Sequence, residues 1–289
     1  MMFARILKIE LHKAFENKWF LISLFVGCLL AAGSAVTAFN LSSRMEPFIT
    51  SIQFLSKKFI PPSTQSVFSY WMVDLTAEPF VDLYFLLLPL LAVIPYSWSL
   101  LSERTSGYAN QIIARSKRTK YFAAKHFASF IVGGSVIAIP VVLNFLVCLC
   151  FAPICTPDVT GVTVFGVFEE SLWSYFFYNT PVIYCLLRTV LLFVFSGLWA
   201  SLVMALSFLI SKRIPLMVVP YLSLILLKFF NERITAPLLH FEQDITPFGF
   251  LRSVPPAYFT SCWVIAVEIG ILFVVVSIFI FKNRKVDLL

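Results

Sequence analysis

Two ionisable side chains stand inside long apolar runs, Arg188 and Glu268. Each lies a few residues inside the end of its run, which at the helical rise is a depth of about 8 Å. A charge in hydrocarbon costs a few kcal/mol at least, so it needs a partner, a water path or a short reach to the surface. An intramembrane Arg188–Glu268 pair is the expectation. A polar lining for a substrate path, or separate reach of each side chain to the surface, are the other two readings.

The second chemistry-bearing stretch runs from Ser102 to His126, S-E-R-T-S-G-Y-A-N-Q-I-I-A-R-S-K-R-T-K-Y-F-A-A-K-H. It carries Arg104, Arg115, Lys117, Arg118, Lys120 and Lys125 against one acid, Glu103. Tyr108, Ile112 and Ile113 recur at helical spacing, so a short amphipathic helix is expected over 106–114. Such a helix docks a partner through its apolar face. Equally, a basic loop between apolar runs fixes topology without further function.

Catalytic patterns are missing. Gly161 and Gly166 have the spacing of a phosphate loop, but Val167 and Phe168 follow where Lys and Ser/Thr are required. His12, His126 and His240 are too far apart for a zinc helix, and there is no G-x-S-x-G elbow. No enzyme activity, metal or cofactor is therefore expected in this chain. Cys28, Cys148, Cys150 and Cys185 fall in apolar runs, where Cys acts as a small hydrophobe. Cys155 and Cys262 fall outside those runs, and a disulfide between them is one arrangement the sequence allows.

The elements that must position these groups follow from hydropathy. The chain is 60% hydrophobic and 13% charged, against roughly 25% charged for a soluble domain. Apolar runs at 19–39, 80–101, 127–152, 182–210, 214–230 and 263–281 give an all-α polytopic membrane protein with six transmembrane helices in one domain. Residues 3–18 place Phe3, Ile6, Leu7, Leu11, Ala14 and Phe15 on one stripe, the pattern of an amphipathic interfacial helix that rests on membrane lipid. Pro89 and Pro95 should kink the second span. Gly27, Ala31 and Ala35 on the first span, and Gly197, Ser201 and Ala205 on the fourth, form small-residue faces for close helix packing. One such face is expected inside the bundle and the other, on the first span, at a dimer contact.

The segments between spans are 102–126, which is basic, and loops at 40–79, 153–181 and 231–262. Arg5, Lys8, Lys13, Lys18, the basic segment, Lys212, Arg213, Lys282, Arg284 and Lys285 all fall on one side of this layout. The other side holds Arg44, Lys57, Lys58, Arg233 and Arg252, with most of the acids. That bias puts both termini in the cytoplasm. The net charge of +7 is then a topology signal, and no nucleic-acid partner is expected.

This layout resembles the ABC-2 type permeases, membrane subunits of bacterial ATP-binding-cassette exporters. The local match lies in Glu10–Phe20 (E-L-H-K-A-F-E-N-K-W-F) and in Glu103–Lys125, with its acid, glycine, apolar pair, basic cluster and closing lysine. The resemblance implies a chain of the bacterial cytoplasmic membrane that pairs with a second permease, identical or homologous, and with separate cytoplasmic ABC ATPases that hold ATP and Mg. It implies that 102–126 is the coupling segment, with Glu103, Gly107, Tyr108, Ile112, Ile113, Arg115 and Arg118 facing that task. Spans one, two and five would line the path for a peptide, lipid-like or antibiotic cargo. An ion-coupled secondary transporter, or a membrane scaffold or sensor, are the rival readings. The outer loops are longer than minimal members need.

Overall fold

The computed structural model describes residues 2–55, 66–72, 78–115, 117–157, 167–168, 171–235, 243–252 and 260–282. Among these the chain is all-helical. Lys57, Lys58, Gly161, Gly166, Arg284 and Lys285 lie outside the described residues, as does the side chain of Arg115. Among the described residues five helices are long and apolar enough to cross a membrane, and the chain is a helical membrane protein.

Helix α1 spans Met2–Phe15 and α2 spans Lys18–Leu55, its membrane-length portion being Lys18–Leu41. Here α2 runs on through much of the stretch expected as a loop after 39. The end of an apolar run marks a membrane thickness, whereas a helix ends only at a breaker or cap. A single turn, α3 (Val67–Tyr70), is wholly buried.

Helix α4 spans Pro79–Val93 and starts on two signals. Pro79 occupies the first turn, and the Glu78 carboxylate accepts from the Val81 N–H at 2.8 Å and from Thr37 Oγ1 at 2.6 Å. At 15 residues α4 is short of a full crossing, where one continuous helix was expected over 80–101. Pro89 is tolerated inside it, but the chain turns at 94–98 around Pro95 before α5 (Ser99–Thr105).

Gly107, at φ +74°, separates α5 from α6 (Tyr108–Arg115). Helix α7 spans Arg118–Cys148 and so begins nine residues earlier than hydropathy placed it, absorbing Lys120 and Lys125. Next come α8 (Ser174–Asn179), α9 (Pro181–Leu206) and α10 (Arg213–Phe230), which continues as a π turn over Asn231–Thr235. The buried turn α11 (Pro247–Phe250) precedes α12 (Cys262–Lys282).

Helix α7 is the axis of the bundle, with α2 on one side, α9 on another and α1 across its beginning. Small residues set these approaches. A Cβ at Gly27 would come 2.9 Å from Pro140 Cγ on α7, and one at Gly133 would come 2.5 Å from the Ala200 Cβ on α9. A Cβ at Gly197 would strike the Phe130 backbone at 2.6 Å. The Asn144 amide donates to the Ala31 carbonyl at 2.8 Å, and Ser201 Oγ donates to the His126 carbonyl at 2.9 Å. Both small-residue faces are therefore spent against α7 within one protomer. The expectation that Gly27, Ala31 and Ala35 meet a second copy is corrected: Ala31 and Ala35 are already buried inside the protomer.

Gly249 in α11 has no room for a side chain, because its Cβ would fall 1.5 Å from Asp244 Oδ2, while a Cβ at Gly270 in α12 would meet nothing. Gly249→Ala should lower the thermal midpoint of the detergent-solubilised protein. Gly270→Ala should leave it unchanged or raise it slightly, by the roughly 0.5–1 kcal/mol that separates Ala from Gly inside a helix. Equal effects at the two sites would refute the buried placement of α11.

Candidate functional site

One face of α1 and the opening turns of α7 meet at a buried ionic junction. On α1, Glu10 and Lys13 are three residues apart and share a face. On α7, Tyr121 and Lys125 are one turn apart. The turn at 94–98 supplies Tyr96, and α5 supplies Glu103. Lys125 is fully buried. Its ammonium is 2.7 Å from Glu10 Oε2 and 2.8 Å from Glu103 Oε1, and donates to Tyr96 Oη at 3.0 Å. An ammonium has three donors, and here each has an acceptor.

The carboxylates are satisfied in turn. Tyr96 donates its hydroxyl to Glu10, and Tyr121 donates to Glu103 Oε2 at 2.5 Å. Lys13 reaches Glu103 Oε1 at 2.5 Å from the half-exposed rim, and its ammonium lies 4.7 Å from the ring centre of Tyr108 on α6. Two acids and two amines make the cluster neutral. Burial alone would raise the Glu103 pKa, but the Lys125 charge with hydrogen bonds from Lys125, Lys13 and Tyr121 holds it below the ordinary 4.5. Burial would lower that of Lys13, and Glu103 more than offsets it, so Lys13 stays protonated.

Further contacts extend the junction across the same end of the bundle. Asn17 Nδ2 donates to the Pro95 carbonyl at 2.9 Å, which ties the α1–α2 corner to the turn after α4. Arg104 donates to the Ser207 carbonyl at 3.0 Å and lies over Phe208. Arg213, at the start of α10, donates to Ser102 Oγ at 2.9 Å and lies over Trp98. An open groove of about 720 Å³ runs beside the junction, with Lys13, Glu16, Asn17, Trp98, Ser102 and Ser106 among its walls.

The residues assigned from sequence to coupling divide. Glu103 is buried and works inward. Ile112 and Ile113 are half-buried and pack on the core, so that part of the apolar face of α6 is turned toward the bundle, while Tyr108 stays exposed. What α6 presents outward is Tyr108, Asn110, Gln111 and Ala114. Arg118 is half-buried at the start of α7. Gly107 has open space around it, so its constraint is the left-handed backbone and not close packing.

Sequence reasoning missed Glu10, Lys13, Tyr96, Tyr121 and Lys125 as a cluster. A signal was present. Glu10 falls between Leu7, Leu11 and Ala14 on the apolar stripe of α1, and Lys125 interrupts an apolar face of α7.

The expected Arg188–Glu268 pair does not form. Arg188 is fully buried and donates to the carbonyls of Phe250 at 3.3 Å and Leu172 at 3.5 Å, with Tyr184 and Trp173 rings beside its guanidinium. The α11 turn and the segment before α8 take its hydrogen bonds, leaving Glu268 to face a different cavity. A pair the sequence did not announce joins Arg252 to Asp82 at the start of α4, at 2.5 Å. The disulfide that the sequence allows between Cys155 and Cys262 is not formed.

Comparison with known proteins gave no match: no family model, no curated protein and no solved structure matches this chain.

Lys125→Met should destabilise the protein by roughly 3–5 kcal/mol, because it leaves the buried Glu10 carboxylate without a cation and Glu103 with Lys13 alone. Lys13→Met, at the exposed rim, should cost about 1 kcal/mol or less. Combining Lys125→Met with Glu10→Leu and Glu103→Leu should recover part of the first loss, whereas additive losses in thermal unfolding would refute contact. Glu103, depressed when folded, stabilises above its ordinary pKa of 4.5 and loses that contribution as pH falls through the folded value. Thermal midpoints measured from pH 6 downward should therefore fall less steeply in Glu103→Gln than in the native protein.

Proposed function

We propose that this chain is the membrane subunit of an ATP-driven exporter, similar to the ABC-2 permeases, and that it moves a lipid-like, peptide or antibiotic cargo outward. The observation that carries the reading is the Glu10–Lys125–Glu103 junction. It fixes the 102–126 segment to both α1 and α7, so a push on α6 reaches the central helix of the bundle without slack.

In this reading α4, the turn at 94–98 and the opening residues of α5, as far as Leu101, make the second of six crossings, and Glu103 lies beyond it. Helix α1 lies along the inner face of the bacterial cytoplasmic membrane, with both termini in the cytoplasm. Its exposed Arg5 and Lys8 suit anionic head groups. The junction, the groove beside it and the outward residues of α6 then all face the cytoplasm, where a separate ATPase holds ATP and Mg. A second permease copy, or a homologous one, completes the pump.

An apolar groove of about 360 Å³ is walled by Trp19 on α2, Leu90 on α4 and Met217 and Val218 on α10. Those helices correspond to the first, second and fifth spans, and the lining suits an apolar cargo. ATP would drive the cycle by binding one of two ATPase arrangements better than the other, and the permease would transmit that difference.

The test is association. With Gln111→Cys on the outward face of α6, a bifunctional thiol–amine reagent should crosslink the full chain to an ATPase with a phosphate loop in native membranes, and cargo efflux from vesicles should require ATP. Efflux that follows an ion gradient without ATP, or the absence of any ATPase partner, would overturn the proposal.

A further inference from the structure

Glu268 is the carboxylate on α12 for which Arg188 was the expected partner. It lies about 9 Å along α12 from Cys262, within an apolar span. A cavity of about 250 Å³ opens against it, walled by Phe195 and Trp199 of α9, Leu224 and Leu227 of α10, and Leu272 of α12. Among the described residues no basic side chain forms an ion pair with it. Arg188 is engaged by carbonyls and rings, and Lys228 reaches Glu232 at 3.8 Å. The Asp244 carboxylate is occupied elsewhere, its Oδ1 accepting from the Thr246 amide and hydroxyl.

These facts define a ligand. A lone carboxylate in apolar walls is costly, and a cation beside it removes much of that cost. The walls are hydrophobic, so the body of the ligand must be too. Two aromatic residues, Phe195 and Trp199, are among the walls, and aromatic rings attract a cation already shed of water. A hydrated metal ion does not fit this lining, which offers one carboxylate and no cluster of His, Cys, Asp or Glu.

We infer that the α9–α10–α12 cavity is a binding site for a lipophilic organic cation, with Glu268 as its counter-ion. The site stands on its own geometry and does not depend on the export reading. It can be tested on the purified chain without any ATPase.

The probe is radiolabelled benzyltrimethylammonium, measured by equilibrium dialysis against the full chain in dodecyl maltoside. Neopentylbenzene, the same shape with carbon in place of the charged nitrogen, is the competitor. Binding should be saturable at one site per chain. Glu268→Gln should weaken it by roughly tenfold or more, the scale expected for a charge-assisted contact. Leu227→Trp fills the cavity while leaving the carboxylate, and should abolish binding. Neopentylbenzene should compete poorly. Absence of saturable binding to the native chain would overturn the inference, as would equal affinity in Glu268→Gln, or displacement by neopentylbenzene at matching concentrations. Elution of both variants as the native oligomer, with unaltered circular dichroism, guards against misfolding as the cause of loss.

Discussion

The Lys125 ammonium, buried at the crossing of α1 and α7, is the constraint on which one end of the molecule depends. An unpaired charge there would be intolerable, so Glu10 and Glu103 must both arrive, and with them the helices that carry them. Helix α1 cannot leave the bundle without exposing a buried carboxylate and stranding the amine. Helix α5 cannot shift without breaking the contact to Lys13 and Tyr121 as well. Apolar packing alone would allow these elements to slide, because methyl groups accept many neighbours. A satisfied ionic cluster accepts one arrangement.

The rest of the bundle is organised by how close α7 allows its neighbours to come. Gly27, Gly133 and Gly197 bring backbones together on two sides of the same helix, and Asn144 and Ser201 add hydrogen bonds across those contacts. In lipid, where apolar surfaces gain little by leaving the solvent, this packing takes over much of the role that burial has in water. Helices α10 and α12 carry no comparable small-residue seam, and both expose most of their apolar surface. The chain thus has a tight half around α7 and a looser half that leaves room for cavities.

Much of this was legible in the sequence, for physical reasons. Hydropathy found the five membrane-length helices of the described residues and the shorter α4, because membrane thickness imposes a length, but not the buried turns α3 and α11. Helix ends were harder. The run at 19–39 gave no hint that α2 continues to Leu55, and Pro95 ended α4 where only a kink was expected. Small-residue spacing identified two packing faces correctly but not their partner, since a smooth face does not say which helix fills it. Charge was the least legible feature. Arg188 and Glu268 looked like a pair because they lie at similar depth, yet carbonyls of Phe250 and Leu172 met the needs of Arg188 first. The Lys125 junction joins residues from four segments, and its only trace was a charge in an apolar stripe.

The claim at the centre of this account is that the junction makes α6 and α7 move as one body. Spin labels at Gln111, exposed on α6, and Val142, exposed on α7, report on it directly through their distance distribution in lipid nanodiscs. The account predicts one narrow distribution in the native chain and a broad one in Lys125→Met, with the helical content unchanged. A distribution that is broad in the native chain, or equally narrow without Lys125, would contradict it.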